Sequence, residues 1–210
     1  MQVTVFGASG KVGMLVVEEL LARGYDVVAF VHRHNPFHEK PRLKIVEGDV
    51  AKLADVERAL QGSEAVFNCL GSWGRPGRNV LTVGMGTIIP AMEAQGIKRI
   101  ISLTGHGADA PDVVPSLAHK LMMKLLSPFP AGTVFRDGEV HMHMLAASSL
   151  DWTALRSPLM KSKGKSTYTL TERPGFPLKV IARPAVASAM VDQLTLSEYI
   201  HRSPVVNLGK

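Results

Sequence analysis

The stretch VTVFGASGKVG, residues 3–13, sets three glycines three residues apart, directly behind an apolar β-branched run and ahead of a stretch of helical period. Read as strand, turn and helix, it gives each glycine a separate task. Gly7 permits the sharp turn, Gly10 lets backbone approach a pyrophosphate with no Cβ in the way, and Gly13 lets the helix pack close to the sheet. The helix N-terminus then offers N–H groups and a partial positive charge to an anion, with Ser9 and Lys11 as side-chain donors and Val12 in the same turn. The spacing GxxGxxG differs from GxGxxG and from GxxxxGK[ST], and no Ser or Thr follows Lys11 to hold magnesium, so the loop does not read as that of an ATPase.

Outward from this loop, short apolar runs alternate with helical stretches, the pattern of parallel strands joined by crossover helices. Strands are expected at Gln2–Phe6, Asp26–Val31, Leu43–Glu47, Ala65–Leu70 and Arg99–Leu103. Helices are expected from about Lys11 to Arg23, through the stretch containing Leu53, Val56 and Leu60, and from about Leu81 to Gln95. The strands are continuously apolar, so helices should cover both sheet faces. The second half is less regular, with helices expected at Ser116–Leu126, Thr133–Ala147 and Pro184–Leu194, and strands at Asp151–Leu155, Ser166–Leu170 and Val205–Leu208. The fold class is α/β: one doubly wound Rossmann domain over residues 1–210, with a cofactor half to about residue 105 and the remainder completing the sheet and a substrate wall.

The choice of nucleotide falls on the end of the second strand, where an NAD site usually carries an acid for the ribose 2′-hydroxyl. Here FVHRHN places His32, Arg33 and His34, with no acid before Glu39. A guanidinium pairs with a 2′-phosphate that a carboxylate would repel, which favours NADP(H) over NAD(H). At the end of the third strand Asp49 stands where an adenine edge would lie, with Val50 to cover the ring; Asp49 serves equally as N-cap of the next helix. After the fourth strand Leu70, Gly71 and Ser72 reach the carboxyl edge, and Arg75 and Arg78 are placed to meet phosphate or an acidic substrate.

Together FGASGKVG, GDV at Gly48–Val50, LGS at Leu70–Ser72, SLTG at Ser102–Gly105 and SSLDWTALRSP at Ser148–Pro158 resemble the atypical short-chain dehydrogenase/reductase family, most of all its NmrA-like and flavin/biliverdin-IXβ-reductase-like branch. The resemblance covers nearly the whole chain. It implies NADP(H) along the carboxyl edge and a substrate pocket over the nicotinamide, with Gly7, Gly10 and Gly13 as the pyrophosphate loop and His32 and Arg33 as the 2′-phosphate site. Such proteins usually have Arg where His32 stands, so Arg33 takes that task one position later. None of Tyr25, Tyr168 or Tyr199 is followed by Lys four residues on, so the Tyr-x-x-x-Lys pair of alcohol-oxidising members is missing. The branch implies a hydroxyl at the end of the fifth strand, here Thr104, and a histidine at the position held by Leu159.

The remaining candidates are quickly placed. Thr104 can orient the nicotinamide amide or a substrate carbonyl, and His106 can deliver a proton or stand as a loop histidine. His141 and His143 lie about 200° apart on a helix and cannot grip one metal together, so no metal site is expected. Cys69, the single cysteine, lies in an apolar run and reads as a buried structural thiol suited to a reducing compartment. The run His119–Leu126 reads as core packing or pocket wall, and Lys161–Lys165 as a solvated loop. The net charge of +6 comes from 24 basic and 18 acidic residues with no basic stripe, which argues against nucleic acid. With the first strand at Gln2 and no long apolar run, a soluble, cytoplasmic protein with a small-molecule substrate is expected. The function expected is an NADPH-dependent reductase of a planar acceptor such as a flavin, quinone or tetrapyrrole. The alternative is a catalytically silent NADP(H)-sensing regulator, with a nucleotide-sugar epimerase or dehydratase third.

Overall fold

A computed structural model of the chain describes residues 1–71, 79–108, 111–112, 121, 124–125, 130–172 and 180–209. The strands are β1 (Gln2–Phe6), β2 (Asp26–Val31), β3 (Leu43–Glu47), β4 (Ala65–Asn68), β5 (Arg99–Gly105), β6 (Asp151–Ser157), β7 (Met160–Lys161), β8 (Tyr168–Thr171), β9 (Ile181–Ala182) and β10 (Val205–Leu208). The helices are α1 (Gly13–Ala22), α2 (Leu53–Leu60), α3 (Val80–Ala94), α4 (Pro130–Ala147) and α5 (Arg183–Asp192). Eight strands form one sheet in the order β3-β2-β1-β4-β5-β6-β10-β8, parallel except where β8 runs antiparallel to β10. β7 and β9 make a separate short parallel pair.

Alternation along the strands builds two cores. Val3, Val5, Val27, Ala29, Phe67, Ile101 and Leu155 face the layer of α1 and α5, while Phe6, Val28, Phe30, Val66, Ile100 and Trp152 face that of α2, α3 and α4. Every residue of β4, and all but the first residue of β1 and β2, is buried, which is what helices on both faces require. The second face is not wholly apolar. Thr4, Asn68, Ser102, Thr104 and His141 are all buried, and most of them lie beneath α3 and α4.

Several expected boundaries shift for local reasons. β4 stops at Asn68 instead of Leu70, because the Leu70 N–H turns back to donate to Asn68 Oδ1 at 3.2 Å. β5 continues past Leu103, since Thr104 and Gly105 pair with Arg156 and Ser157 of β6. α4 begins three residues before Thr133, and α5 opens at Arg183 with Pro184 in its first turn, where a missing N–H costs nothing. The helix expected over Ser116–Leu126 falls largely outside the described residues. Of its apolar positions Leu121 and Leu125 are 69% and 71% exposed, so these two do not pack in the core as expected.

Candidate functional site

The strand order reverses between β1 and β4, and in a sheet wound this way ligands bind at the carboxyl ends of the strands beside that reversal. The glycine loop lies there. Gly7 has φ +72°, and a Cβ on it would stand 2.6–2.7 Å from the backbone of Cys69 and Leu70, so the loop behind β1 abuts the loop behind β4. The Gly10 N–H donates to the Gly7 carbonyl at 2.9 Å and closes the turn. Gly13 packs against this same turn rather than against the sheet: a Cβ there would lie 2.1 Å from the Gly7 oxygen. Ser9 is half-buried, Gly10 and Lys11 are exposed and Val12 is buried. Among the described residues no side chain is bonded to the first amides of α1.

α3 also points its N-terminus to this edge, but its position is taken. Asp137 of α4, buried, accepts from the Leu81 N–H at 3.0 Å, the Thr82 N–H at 2.9 Å and the Thr82 hydroxyl at 2.8 Å. A carboxylate already satisfies the first amides of α3 and its dipole. Of the two helix ends, that of α1 is therefore the one prepared for an external anion. Substituting Asp137→Asn should destabilise the fold by about 2 kcal/mol, because it exchanges a charged acceptor for an amide whose NH₂ cannot receive these bonds. Urea denaturation at neutral pH measures this, and a wild-type midpoint would refute it.

At the neighbouring strand ends the Gly48 N–H donates to the Val31 carbonyl at 3.0 Å, which holds His32 and Asp49 side by side. His32 Nδ1 lies 3.9 Å from Asp49 Oδ1, both side chains being about half exposed. Arg33 and His34 follow on the exposed side. Asp49 does not cap α2, whose N-cap is Lys52; its Oδ1 accepts instead from the Ala51 N–H at 3.0 Å and stabilises the turn before the helix. The Asp49 N–H donates to Asp55 Oδ2, and with Arg58 it holds the Asp55 carboxyl below the usual range. Val50 and Leu70 meet over Gly84 of α3, where a Cβ would stand 3.3 Å from Val50 Cγ2 and 2.5 Å from Leu70 Cδ1. Gly71 is exposed, with no atom of the described residues within 4 Å of a Cβ built on it, while Ser72, Arg75 and Arg78 lie outside the described residues.

The proton-transfer candidates are placed differently. Thr104 is buried, its Oγ1 has no hydrogen-bond partner among the described residues, and the oxygen faces α4, where a Cβ on Gly138 would come within 2.7 Å of it. Its hydroxyl is roofed by the helix rather than open at the strand ends. His106 is half-buried on the turn after β5, its backbone N–H donating to the Ser157 carbonyl at 2.9 Å. The Phe135 ring covers Gly107, leaving 2.5 Å for a Cβ. Leu159 is 64% exposed just beyond β6. Cys69 is half-buried rather than fully buried as expected, and burial pushes its thiol up to about 12, which keeps it protonated at neutral pH. His143 is exposed and His141 buried, on opposite sides of α4.

A buried chain of polar groups went unread in the sequence. Asn68 Nδ2 donates to Ser102 Oγ at 2.9 Å, and Ser102 Oγ lies 2.7 Å from His141 Nε2. The other ring nitrogen of His141, Nδ1, is buried with no hydrogen-bond partner among the described residues. Burial pushes His141 down to about 4, which keeps it neutral. The signal available was a polar residue in each of two apolar strands, AVFN and RIISL, both on the face α4 covers.

Comparison with known proteins agrees with the fold. A decarboxylating sterol-4-alpha-carboxylate 3-dehydrogenase of Mus musculus is 34% identical over 105 residues, which make up 47% of this chain and 28% of that enzyme. The chain thus spans well under half the length of this curated relative. A wide-type short-chain dehydrogenase/reductase of Veillonella parvula, solved in complex with NADP, superposes with a TM-score of 0.77 at 21% identity, over 100% of this chain and 94% of that one. An anaerobillin reductase of Escherichia coli does so with a TM-score of 0.74 at 19% identity, over 99% and 97%. These two structures show a shared Rossmann fold. Residues 7–196 match the NAD(P)H-binding protein family from the first glycine of the loop to beyond α5, and the chain belongs to that family.

Proposed function

We propose that the protein is an NADPH-dependent reductase that delivers hydride to a planar acceptor, a flavin, quinone or tetrapyrrole. The observation that carries this reading is the pairing of an uncapped α1 N-terminus, behind the tight Gly7–Gly13 turn, with a basic His32-Arg33 end of β2 on the adjacent strand. In it Gly7, Ser9, Gly10, Lys11, Val12 and Gly13 hold the pyrophosphate. Arg33 and His32 receive the 2′-phosphate, and Asp49, Val50, Leu70 and Gly71 border the adenosine and the inner ribose. When bound, the dinucleotide supplies the hydride. The chain's own work is to position it and to keep the acceptor face dry, for which the apolar Leu159 and the Phe135 ring are suited.

A planar conjugated acceptor fits a site in which, among the described residues, the Thr104 hydroxyl is turned away from the strand ends. Thr104 Oγ1 is shut beneath α4, and the proton that follows hydride comes from solvent or from His106. The anaerobillin reductase of the same fold supports an acceptor of this kind, as an analogy of fold. The same enclosed hydroxyl favours a second reading, a dinucleotide-binding regulator without turnover. Stopped-flow oxidation of NADPH with FMN, a quinone panel and biliverdin separates the two. Acceptor-dependent oxidation above the protein-free rate is the expected result, and its absence with every acceptor would leave the regulator. For the cofactor, Arg33→Ala should weaken NADPH by roughly 10- to 100-fold and NADH by less than about twofold. Equal losses would show that the 2′-phosphate is not held there.

A further inference from the structure

The peptide that closes on the glycine turn is set from inside the sheet. β4 ends its ladder on β1 with the Cys69 N–H donating to the Phe6 carbonyl at 2.9 Å, and the next amide, that of Leu70, leaves the ladder to bond Asn68 Oδ1 at 3.2 Å. This same peptide lies against Gly7, where a Cβ would stand 2.6 Å from the Cys69 carbonyl carbon and 2.7 Å from the Leu70 nitrogen. One N–H group is therefore bonded to Asn68 and packed on the glycine turn at once. Contacts this close pass a rotation of the peptide directly to Gly7.

What holds Asn68 lies deeper. Its Nδ2 donates to Ser102 Oγ at 2.9 Å and to Met85 Sδ, a weak acceptor, at 3.3 Å, and Ser102 Oγ lies 2.7 Å from His141 Nε2. Asn68, Ser102 and His141 are each 0% exposed, so bulk water replaces none of these contacts. The amide has one right way round here, because reversal would face its NH₂ to the Leu70 N–H. With the imidazole in place, Ser102 Oγ is partnered on both sides while the amide keeps that orientation. Without it the hydroxyl is left, among the described residues, with Asn68, and a hydroxyl pairs with either end of an amide. Selection of the amide's orientation at that end is then lost, and with it the fixed acceptor for Leu70.

We propose that His141 is a positioning residue for the dinucleotide: acting through Ser102 and Asn68, it fixes the Leu70 peptide against the Gly7 turn, although it is sealed beneath α4 and touches no ligand. This rests on the cofactor reading given above and adds to it a residue from the second half of the chain.

The test is calorimetric titration of NADP+ and NAD+ into the full chain, with wild type, Ser102→Ala, His141→Leu, the two together, His141→Gln and Leu145→Ala, urea unfolding confirming which are folded under the conditions of titration. Ser102→Ala and His141→Leu should each weaken NADP+ by about tenfold, the order expected when a binding loop is misplaced by a fraction of an ångström. The double variant should lose no more than either single one, because both break the same link. His141→Gln, which keeps a group able to hydrogen-bond Ser102, should stay within about twofold of wild type. Leu145, as deeply buried one turn further along α4, reports loss of packing alone, so Leu145→Ala should lower stability and leave affinity within about twofold. Unchanged NADP+ affinity in Ser102→Ala, or in a folded His141→Leu, would overturn the role. So would losses that add in the double variant, or a loss in Leu145→Ala equal to that of His141→Leu, and each of these leaves the cofactor reading intact. Binding of neither dinucleotide to wild type would overturn that reading and the role together.

Discussion

Replacing Gly13 with alanine should lower stability by about 2–3 kcal/mol and dinucleotide affinity by roughly a factor of 100, the largest loss expected from adding a single methyl group to this protein. The methyl carbon would be placed 2.1 Å from the Gly7 oxygen and 2.9 Å from both the Gly7 carbonyl carbon and Ala8 Cα. All three are backbone atoms, so no side-chain rotation relieves the overlap. Nor is the loop at liberty to retreat, because the Gly7 oxygen receives the Gly10 N–H and Gly7 itself lies against the backbone of Cys69 and Leu70. Relief requires the loop to open by about 1 Å, which misaligns the amides meant for the pyrophosphate. Gly86, exposed on α3 with open space where a Cβ would go, is the control. Gly86→Ala should stabilise the protein by about 0.5–1 kcal/mol, since helix-interior glycine costs backbone entropy. Urea unfolding with NADP+ titration measures both, and a Gly13→Ala protein as stable and as tightly binding as wild type would show that the loop relaxes freely.

Acid should weaken the fold through His141. Its folded-state value is about 4 because burial penalises the imidazolium, whereas in the unfolded chain it returns to the ordinary histidine range near 6.5. The unfolded state therefore takes up the proton first as pH falls. Stability attributable to this group is fully present above about pH 6.5 and is lost progressively down to about pH 4, by roughly 2 kcal/mol at pH 5. Urea unfolding of wild type at pH 7.5 and pH 5 should show this loss, and a His141→Gln variant, with no proton to gain, should be less stable at pH 7.5 yet lose about 2 kcal/mol less on acidification. Equal acid losses in the two proteins would show that other groups govern the acid side.

Much of the architecture is legible in the residues because period and punctuation agree. β1, β2, β3 and β10 occupy the expected residues, and Gly24, Gly62 and Gly96, each past a helix end, all have positive φ. What escapes is whatever depends on distant partners. That the Asp137 carboxylate belongs to the start of α3, 55 and 56 residues earlier in the chain, is not written in its neighbours. The same holds for the Asn68–Ser102–His141 chain, assembled from β4, β5 and α4. At the candidate site the glycine turn and the basic end of β2 are local and readable. The direction of the Thr104 hydroxyl is set by a helix that packs above it, and the pairing of His32 with Asp49 by strand register. Asp49 reads in the sequence as adenine edge or helix cap; the cap role falls, because Lys52 holds the N-cap position and Asp49 Oδ1 accepts from the Ala51 N–H in the turn before it.

The carboxylate of Asp137 also bears on how the chain becomes folded. Until residue 137 is in place, α3 begins with unsatisfied amides, and until residue 141 arrives Ser102 lacks its partner on the face that α4 will cover. Leu150 and Trp152 likewise come late in the chain to complete the core shared with Phe6, Val28 and Ile100. The division near residue 105 is thus one of sequence pattern only. A nascent chain, or a fragment, ending there would hold the phosphate-binding turn without the means to keep its second face closed.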